Sequence, residues 1–257
     1  MFDARRSRST PGLWAEGSTR RSESSEARGR IFAGWGPAKL SLYLVTDPEL
    51  VGDRALEDVV DQAVEGGVTC VQVREKQAST RAFVERARSI QDLLAGRDVP
   101  LIINDRVDVA LAVAADGVHV GQDDMPYPEA RALLGPDAII GVSVETMDDV
   151  DRAETYDVDY LGVSPIFETP TKRDTRGAWG LEGLARVRTR SRHRLVVIGG
   201  LNSTNAAAAI AAGADGIAVV SAICAAPDPR RVAADLRHQI DTAHRQRANA
   251  GDRTTTR

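Results

Sequence analysis

The residues best suited to chemistry in this chain lie in short polar clusters, each just after a run of apolar, often β-branched residues. Gln72, Arg74 and Lys76 stand two apart, so in an extended strand all three project to one side. Two cations and an amide directed inward are costly unless something anionic satisfies them. A solvated strand end, with Glu75 pairing a neighbour, is the plainer alternative. Asp105 and Asp124 close the next two apolar runs. Carboxylates converging beside cations suit Mg²⁺, which takes one or two of them together with phosphate oxygens and water. Helix capping by aspartate is the competing role, stronger for Asp105 than for the Asp123-Asp124 pair.

Further along, the connection from Pro165 to Gly180 carries Thr169, Thr171 and Lys172, hydroxyls and a point charge that a lid closing over an anion would use. The alternative is a surface insertion. Gly199-Gly200 and Val220-Ser221 end the last two apolar runs and offer backbone N–H groups to a second phosphate. A tight turn would account for the glycine pair alone. Two anion sites, one with metal and one of backbone, imply two phosphorylated small molecules or one molecule charged at both ends. No Ser-His-Asp order or Cys-His pair lies on these segments, which disfavours acyl transfer through a protein nucleophile. His119, inside an apolar run, reads as a buried, hydrogen-bonded residue. His193, His238 and His244 read as surface helix or linker residues.

These clusters need elements to position them. Eight short runs, Leu40–Thr46, Thr69–Arg74, Leu101–Asn104, Gly117–Val120, Ile139–Val144, Tyr160–Val163, Leu195–Ile198 and Gly216–Val220, have the unbroken apolar character of strands buried on both faces of a parallel sheet. A helical pattern follows each, among them Arg54–Glu65, Thr204–Ala212 and Pro229–Ala243, with Ser203 and Asp228 as N-cap candidates. The repeat predicts an α/β fold, a single-domain (β/α)₈ TIM barrel. A doubly wound open sheet is the alternative, but no Gly-x-Gly-x-x-Gly follows the first strand. In a barrel, active sites sit where strands end and helices begin, and that is where the polar clusters fall.

At 257 residues, the length suits one such barrel with tails. Residues 1–36, rich in Arg and Ser without apolar periodicity, read as a disordered extension with no signal-peptide core. The catalytic barrel is assigned to 37–244 and a polar, frayed tail to 245–257. The net charge is −4, and seven arginines against four acids make residues 1–36 basic, so the barrel is the more acidic part. An acidic body argues against nucleic acid as the main ligand. No apolar stretch is long enough to span a membrane. Cys70 and Cys224 lie in apolar runs without metal-ligand spacing and read as buried thiols in a reducing cytoplasm.

The segments Leu44-Val-Thr-Asp47, Gln72-x-Arg-Glu-Lys76, Ile103-Asn-Asp-Arg106, Gly117-Val-His-Val-Gly-Gln-Asp-Asp124, Gly141-Val-Ser143, Pro165-Ile-Phe-x-Thr-x-Thr-Lys172, Gly180-Leu, Gly199-Gly200 and Val220-Ser-Ala-Ile223 occur in this order. With them the chain resembles the thiamine-phosphate synthase family. The resemblance implies a transferase that joins 4-amino-2-methyl-5-hydroxymethylpyrimidine diphosphate to a hydroxyethylthiazole phosphate and releases pyrophosphate. It also implies that Gln72, Arg74, Lys76, Asn104, Ser143 and Lys172 face the pyrimidine diphosphate, and that Asp105 and Asp124 hold Mg²⁺. Thr169, Thr171, Gly200, Val220 and Ser221 would hold the thiazole phosphate. Arg74, Lys76, Ser143 and Lys172 would be the catalytic group, and relatives suggest a monomer or small homo-oligomer. A thiazole tautomerase of the same superfamily would not need the diphosphate-and-metal half, and a silent thiamine phosphate binder would not need the carboxylates. Glu145 departs from the pattern: many relatives carry His two residues after this serine.

Overall fold

The structure, a computed structural model, describes residues 36–168 and 177–255. Eight parallel strands close into one barrel in sequence order: β1 (Leu42–Val45), β2 (Cys70–Val73), β3 (Leu101–Asn104), β4 (Gly117–Val120), β5 (Ile139–Val144), β6 (Tyr160–Val163), β7 (Leu195–Val197) and β8 (Gly216–Val219). Closure is made by β1 against β8, with Leu42 opposite Ile217. The helices are α1 (Leu56–Glu65), α2 (Thr80–Leu94), α3 (Val107–Val113), α4 (Tyr127–Leu134), α5 (Met147–Ala153), α6 (Gly180–Arg190), α7 (Ala206–Ala211), α8 (Ser221–Cys224) and α9 (Pro229–Thr255).

Alternation along each strand sorts side chains into two cores. Leu42, Leu44, Val71, Val73, Ile103 and Val118 join the outer core packed under the helices. Their neighbours Tyr43, Gln72, Ile102, Asn104 and His119 take the opposite direction, into the barrel. Because every strand is covered on both faces, its run of apolar residues is unbroken, which is why the strands are readable in sequence.

The two ends of the barrel use acids differently. At the strand-entry end, the aspartate just before β4, β6 and β8 accepts an N–H from one of the first two residues of the preceding strand. Asp116 Oδ2 takes that of Leu101, Asp159 Oδ2 that of Ile140 and Asp215 Oδ2 that of Leu195, each at 2.8 Å. Arg131 and Arg188 neutralise two of these carboxylates at 3.0 Å. Such residues hold strand register rather than ligand. Asp215→Ala is therefore expected to lower stability by about 2 kcal/mol, read from the urea midpoint, with turnover per folded molecule unchanged.

Several elements depart from the sequence expectation. The last helix continues through Thr255, past the frayed tail expected from Arg245. Arg247 fastens it, donating to the carbonyls of Ile210 and Ala214 at 2.9 and 2.7 Å. Asp228 does cap this helix, accepting from Arg231 N at 2.9 Å. Ser203 does not cap α7, whose N-cap is Asn205, because Asn202 and Asn205 occupy the turn with their own amides. His193, expected at the surface, is buried beside Ser191, whose Oγ accepts its backbone N–H at 3.1 Å. The expected disordered extension, residues 1–36, lies outside the described residues apart from Gly36.

Candidate active site

The opposite rim, where strands end, gathers the polar clusters. Arg74, one residue past β2, is fixed twice from β1: its N–H donates to the buried Thr46 Oγ1 at 3.1 Å, and its Nη1 lies 3.4 Å from Asp47 Oδ2. Lys76 Nζ reaches Asp105 Oδ2 at 2.7 Å. The inward cations are thus satisfied by neighbouring carboxylates. Glu75 pairs with Arg86 at 2.9 Å, the neighbour pairing that the plainer alternative expected.

Neither Asp105 nor Asp124 caps a helix. The N-caps of α3 and α4 are Arg106 and Pro126, and neither makes a side-chain cap bond. Asp105 is held in the left-handed region, with φ of 62°, a conformation a non-glycine residue adopts at some cost. Its N–H bonds the His119 carbonyl at 2.8 Å. Asp124 Oδ2 accepts the Gly121 N–H at 2.8 Å. Its carboxyl is pushed above the usual range first by burial, and further by the hydrogen-bonded, like-charged Asp105 beside it, while Lys76 pulls it down. Two carboxyl groups in mutual reach, one destabilised as an anion, make a donor pair that a hard divalent cation would relieve.

β5 brings in Ser143, half buried, with its Oγ 2.9 Å from His119 Nε2. Gln122 braces the same residue by donating to its carbonyl at 2.6 Å. A capping box between Thr146 and Asp149 fixes the following turn, so position 145 is set by the backbone. Glu145 lines a cavity of about 350 Å³ with Trp179, Glu182 and Arg186, beside the site rather than over the aspartate pair.

The connection after β6 is pinned at its base: Trp179 N and Gly180 N donate to the Pro165 and Ile166 carbonyls, each at 2.9 Å. Gly199 and Gly200, with φ of 105° and 67°, explain how this base sits. A Cβ at either would come within 2.7 Å of Pro165 Cβ or 2.8 Å of Phe167 Cβ, so the glycines admit the neighbouring loop as well as make a turn. Thr169, Thr171 and Lys172 lie outside the described residues.

Val220 and Ser221 open the short helix α8. Arg54 holds its far end, donating to the Cys224 and Ala226 carbonyls at 2.6 Å each. Arg54→Met is expected to cost about 2 kcal/mol in denaturant unfolding, because those carbonyls lose their partner. Cys224 is itself inert: burial pushes its thiol up to about 11. Cys70 is also buried, free and raised by the same cause.

The family model for thiamine monophosphate synthase matches residues 42–223, from β1 into α8. The chain belongs to the thiamine monophosphate synthase family. It is 59% identical to the thiamine-phosphate synthase of Albidiferax ferrireducens over 202 residues, covering 79% of this chain and 92% of that protein. It is 52% identical to the one from Azorhizobium caulinodans over 209 residues, covering 81% and 99%. Among solved structures it is similar to the thiamine phosphate pyrophosphorylase of Pyrococcus furiosus, with a TM-score of 0.74 and 39% identity over 80% of this chain and 98% of that one. Membership makes the chain a transferase-type enzyme, and no helix among the described residues is long and apolar enough to cross a membrane.

The matched region spans Gln72, Arg74, Lys76, Asn104, Asp105, Asp124 and Ser143. The structure sets Lys76 against Asp105, Asp105 beside Asp124, and Ser143 against His119 on the strand between them. Residues for which the sequence suggested no role are Tyr43, Tyr160 and Arg54. Tyr43 and Tyr160 stand at inward positions of β1 and β6, and that placement was their only signal.

Proposed function

We propose that the chain makes thiamine phosphate from 4-amino-2-methyl-5-hydroxymethylpyrimidine diphosphate and 4-methyl-5-(2-hydroxyethyl)thiazole phosphate, releasing pyrophosphate, or from the carboxylated thiazole phosphate, releasing carbon dioxide as well. The observation that carries this reading is Lys76 set against the Asp105–Asp124 pair at the rim where Arg74 stands beside Asp47, cations and carboxylates that could share a metal diphosphate. Asp105 and Asp124 would hold Mg²⁺, which when bound supplies positive charge to the departing diphosphate.

The remaining chemistry belongs to the chain and its substrates. Arg74 and Lys76, with Lys172 from the sixth connection, stabilise negative charge growing on the leaving oxygens. Gln72, Asn104 and Ser143 orient the pyrimidine diphosphate. The aminopyrimidine ring spreads the positive charge left as the carbon–oxygen bond breaks, and the thiazole nitrogen then attacks that carbon. Thr169, Thr171, Gly200, Val220 and Ser221 hold the thiazole phosphate, and closure of the sixth connection excludes water. No protein nucleophile takes part. Both substrates are small molecules, and two buried free thiols accord with a cytoplasmic enzyme.

A pyrophosphate-release assay with both substrates in Mg²⁺ buffer tests the proposal. Stoichiometric pyrophosphate and thiamine phosphate are expected. Isomerisation of the thiazole alone would move the assignment to a tautomerase, and thermal stabilisation without turnover would leave a binder.

A further inference from the structure

A hydrogen-bonded chain crosses the barrel interior beneath the site. Gln72 Nε2 donates to Tyr43 Oη at 2.9 Å. Tyr43 Oη lies 2.9 Å from Tyr160 Oη, which lies 3.0 Å from His119 Nδ1. His119 Nε2 in turn lies 2.9 Å from Ser143 Oγ. The path joins β2 to β5 through side chains of β1, β6 and β4.

The barrel makes room for this path. A Cβ at Gly141 would stand 2.1 Å from Tyr160 Cζ, and one at Gly162 would stand 2.7 Å from His119 Cε1. The His119 and Tyr160 rings stack with centroids 5.5 Å apart. Glycines on β5 and β6 therefore open the space that the two rings fill.

Direction is transmitted along the path because each tyrosine hydroxyl has one hydrogen to give. Burial pushes both hydroxyls well above their ordinary range, so both stay protonated at neutral pH. With Gln72 donating to Tyr43 and the Tyr43 hydrogen given to Tyr160, the Tyr160 hydrogen goes to His119 Nδ1. His119 must then be the neutral tautomer with its hydrogen on Nε2, donated to Ser143 Oγ. Two groups are left over: Gln72 Oε1 as an acceptor and the Ser143 hydroxyl hydrogen as a donor.

We propose that this chain fixes the polarity of the pyrimidine end of the site, making Gln72 an acceptor for a ring amino group and Ser143 a donor to an anionic oxygen. Tyr43, Tyr160 and His119 are its positioning residues, acting through those two ends. The inference rests on the substrate reading above. It implies selection for an amino-substituted ring over one carrying an oxo group there, since the wrong partner would leave the Gln72 carbonyl facing another acceptor.

The first test uses no substrate. Nitrogen-15 NMR of the full chain labelled at histidine, with His119→Asn to assign the signal, is expected to show His119 protonated on Nε2 and bare on Nδ1. Tyr160→Phe should convert this fixed form into a tautomer mixture. A hydrogen on Nδ1, an imidazolium at neutral pH, or no response to Tyr160→Phe would overturn the proposal. In the second test, Tyr43→Phe should raise KM for the pyrimidine diphosphate about tenfold and leave KM for the thiazole phosphate unchanged. Equal changes in both, or none, would count against it. A wild-type chain without turnover would instead refute the substrate reading, while the tautomer measurement still decides the polarity.

Discussion

Asp124→Asn is expected to slow turnover about a thousandfold while leaving the metal-free fold at least as stable as before. Asparagine keeps an oxygen for the Gly121 N–H that Asp124 now accepts at 2.8 Å, so the local turn survives. What disappears is a charge that burial and the neighbouring Asp105 both disfavour. A carboxyl whose folded pKa is raised binds its proton more tightly in the folded chain than in the unfolded one. Its contribution to stability therefore increases as pH falls through that raised value and is least favourable at neutral pH, where it is ionised. The substitution removes that burden permanently. Urea midpoints at neutral pH without divalent ions, compared with turnover in Mg²⁺, separate the two effects. Added Mg²⁺ should raise the wild-type midpoint and not that of the variant. A loss of more than about 1 kcal/mol, or turnover near wild type, would show that Asp124 is a structural acid like Asp215.

That contrast between acids shows how far the sequence could be read. Asp116, Asp159 and Asp215 precede strands and serve register, whereas Asp105 and Asp124 follow strands and face the site. Once unbroken apolar runs such as Leu101–Asn104 are recognised as strands, the order of acid and strand separates the two roles without coordinates. The barrel was legible for the same reason, since full burial on both faces leaves a continuous signal. Helix ends were less so: Arg54 sits before α1 because its guanidinium is committed to Val51, Cys224 and Ala226, partners distant in sequence for two of the three bonds. The length of α9 was hidden for a like reason, as its polar later turns are held by Arg247 against α7 and the turn that precedes β8. The Tyr43–Tyr160–His119 path was invisible in sequence, because each member is one inward residue of a different strand and only closure of the barrel brings them together.

Arg74→Met is the second large effect, an expected loss of about a hundredfold to a thousandfold in turnover. The side chain has two separable duties. Its Nη1 lies 3.4 Å from Asp47 Oδ2, and the Asp47 side chain is only 15% exposed, so removing the guanidinium strands a carboxylate and lowers stability. In the proposed reaction its other duty is to meet the departing diphosphate. The double variant Arg74→Met, Asp47→Asn removes the stranded charge while keeping an acceptor for the Glu49 N–H, which now bonds Asp47 Oδ1 at 3.1 Å. It should regain the lost stability in urea unfolding and none of the lost turnover. Arg74→Lys should fall between, since an ammonium keeps the charge but not the planar fork that grips two phosphate oxygens. If the double variant regained turnover together with stability, Arg74 would be a partner for Asp47 and nothing more. The diphosphate would then have to be gripped by Lys76 and the sixth connection alone.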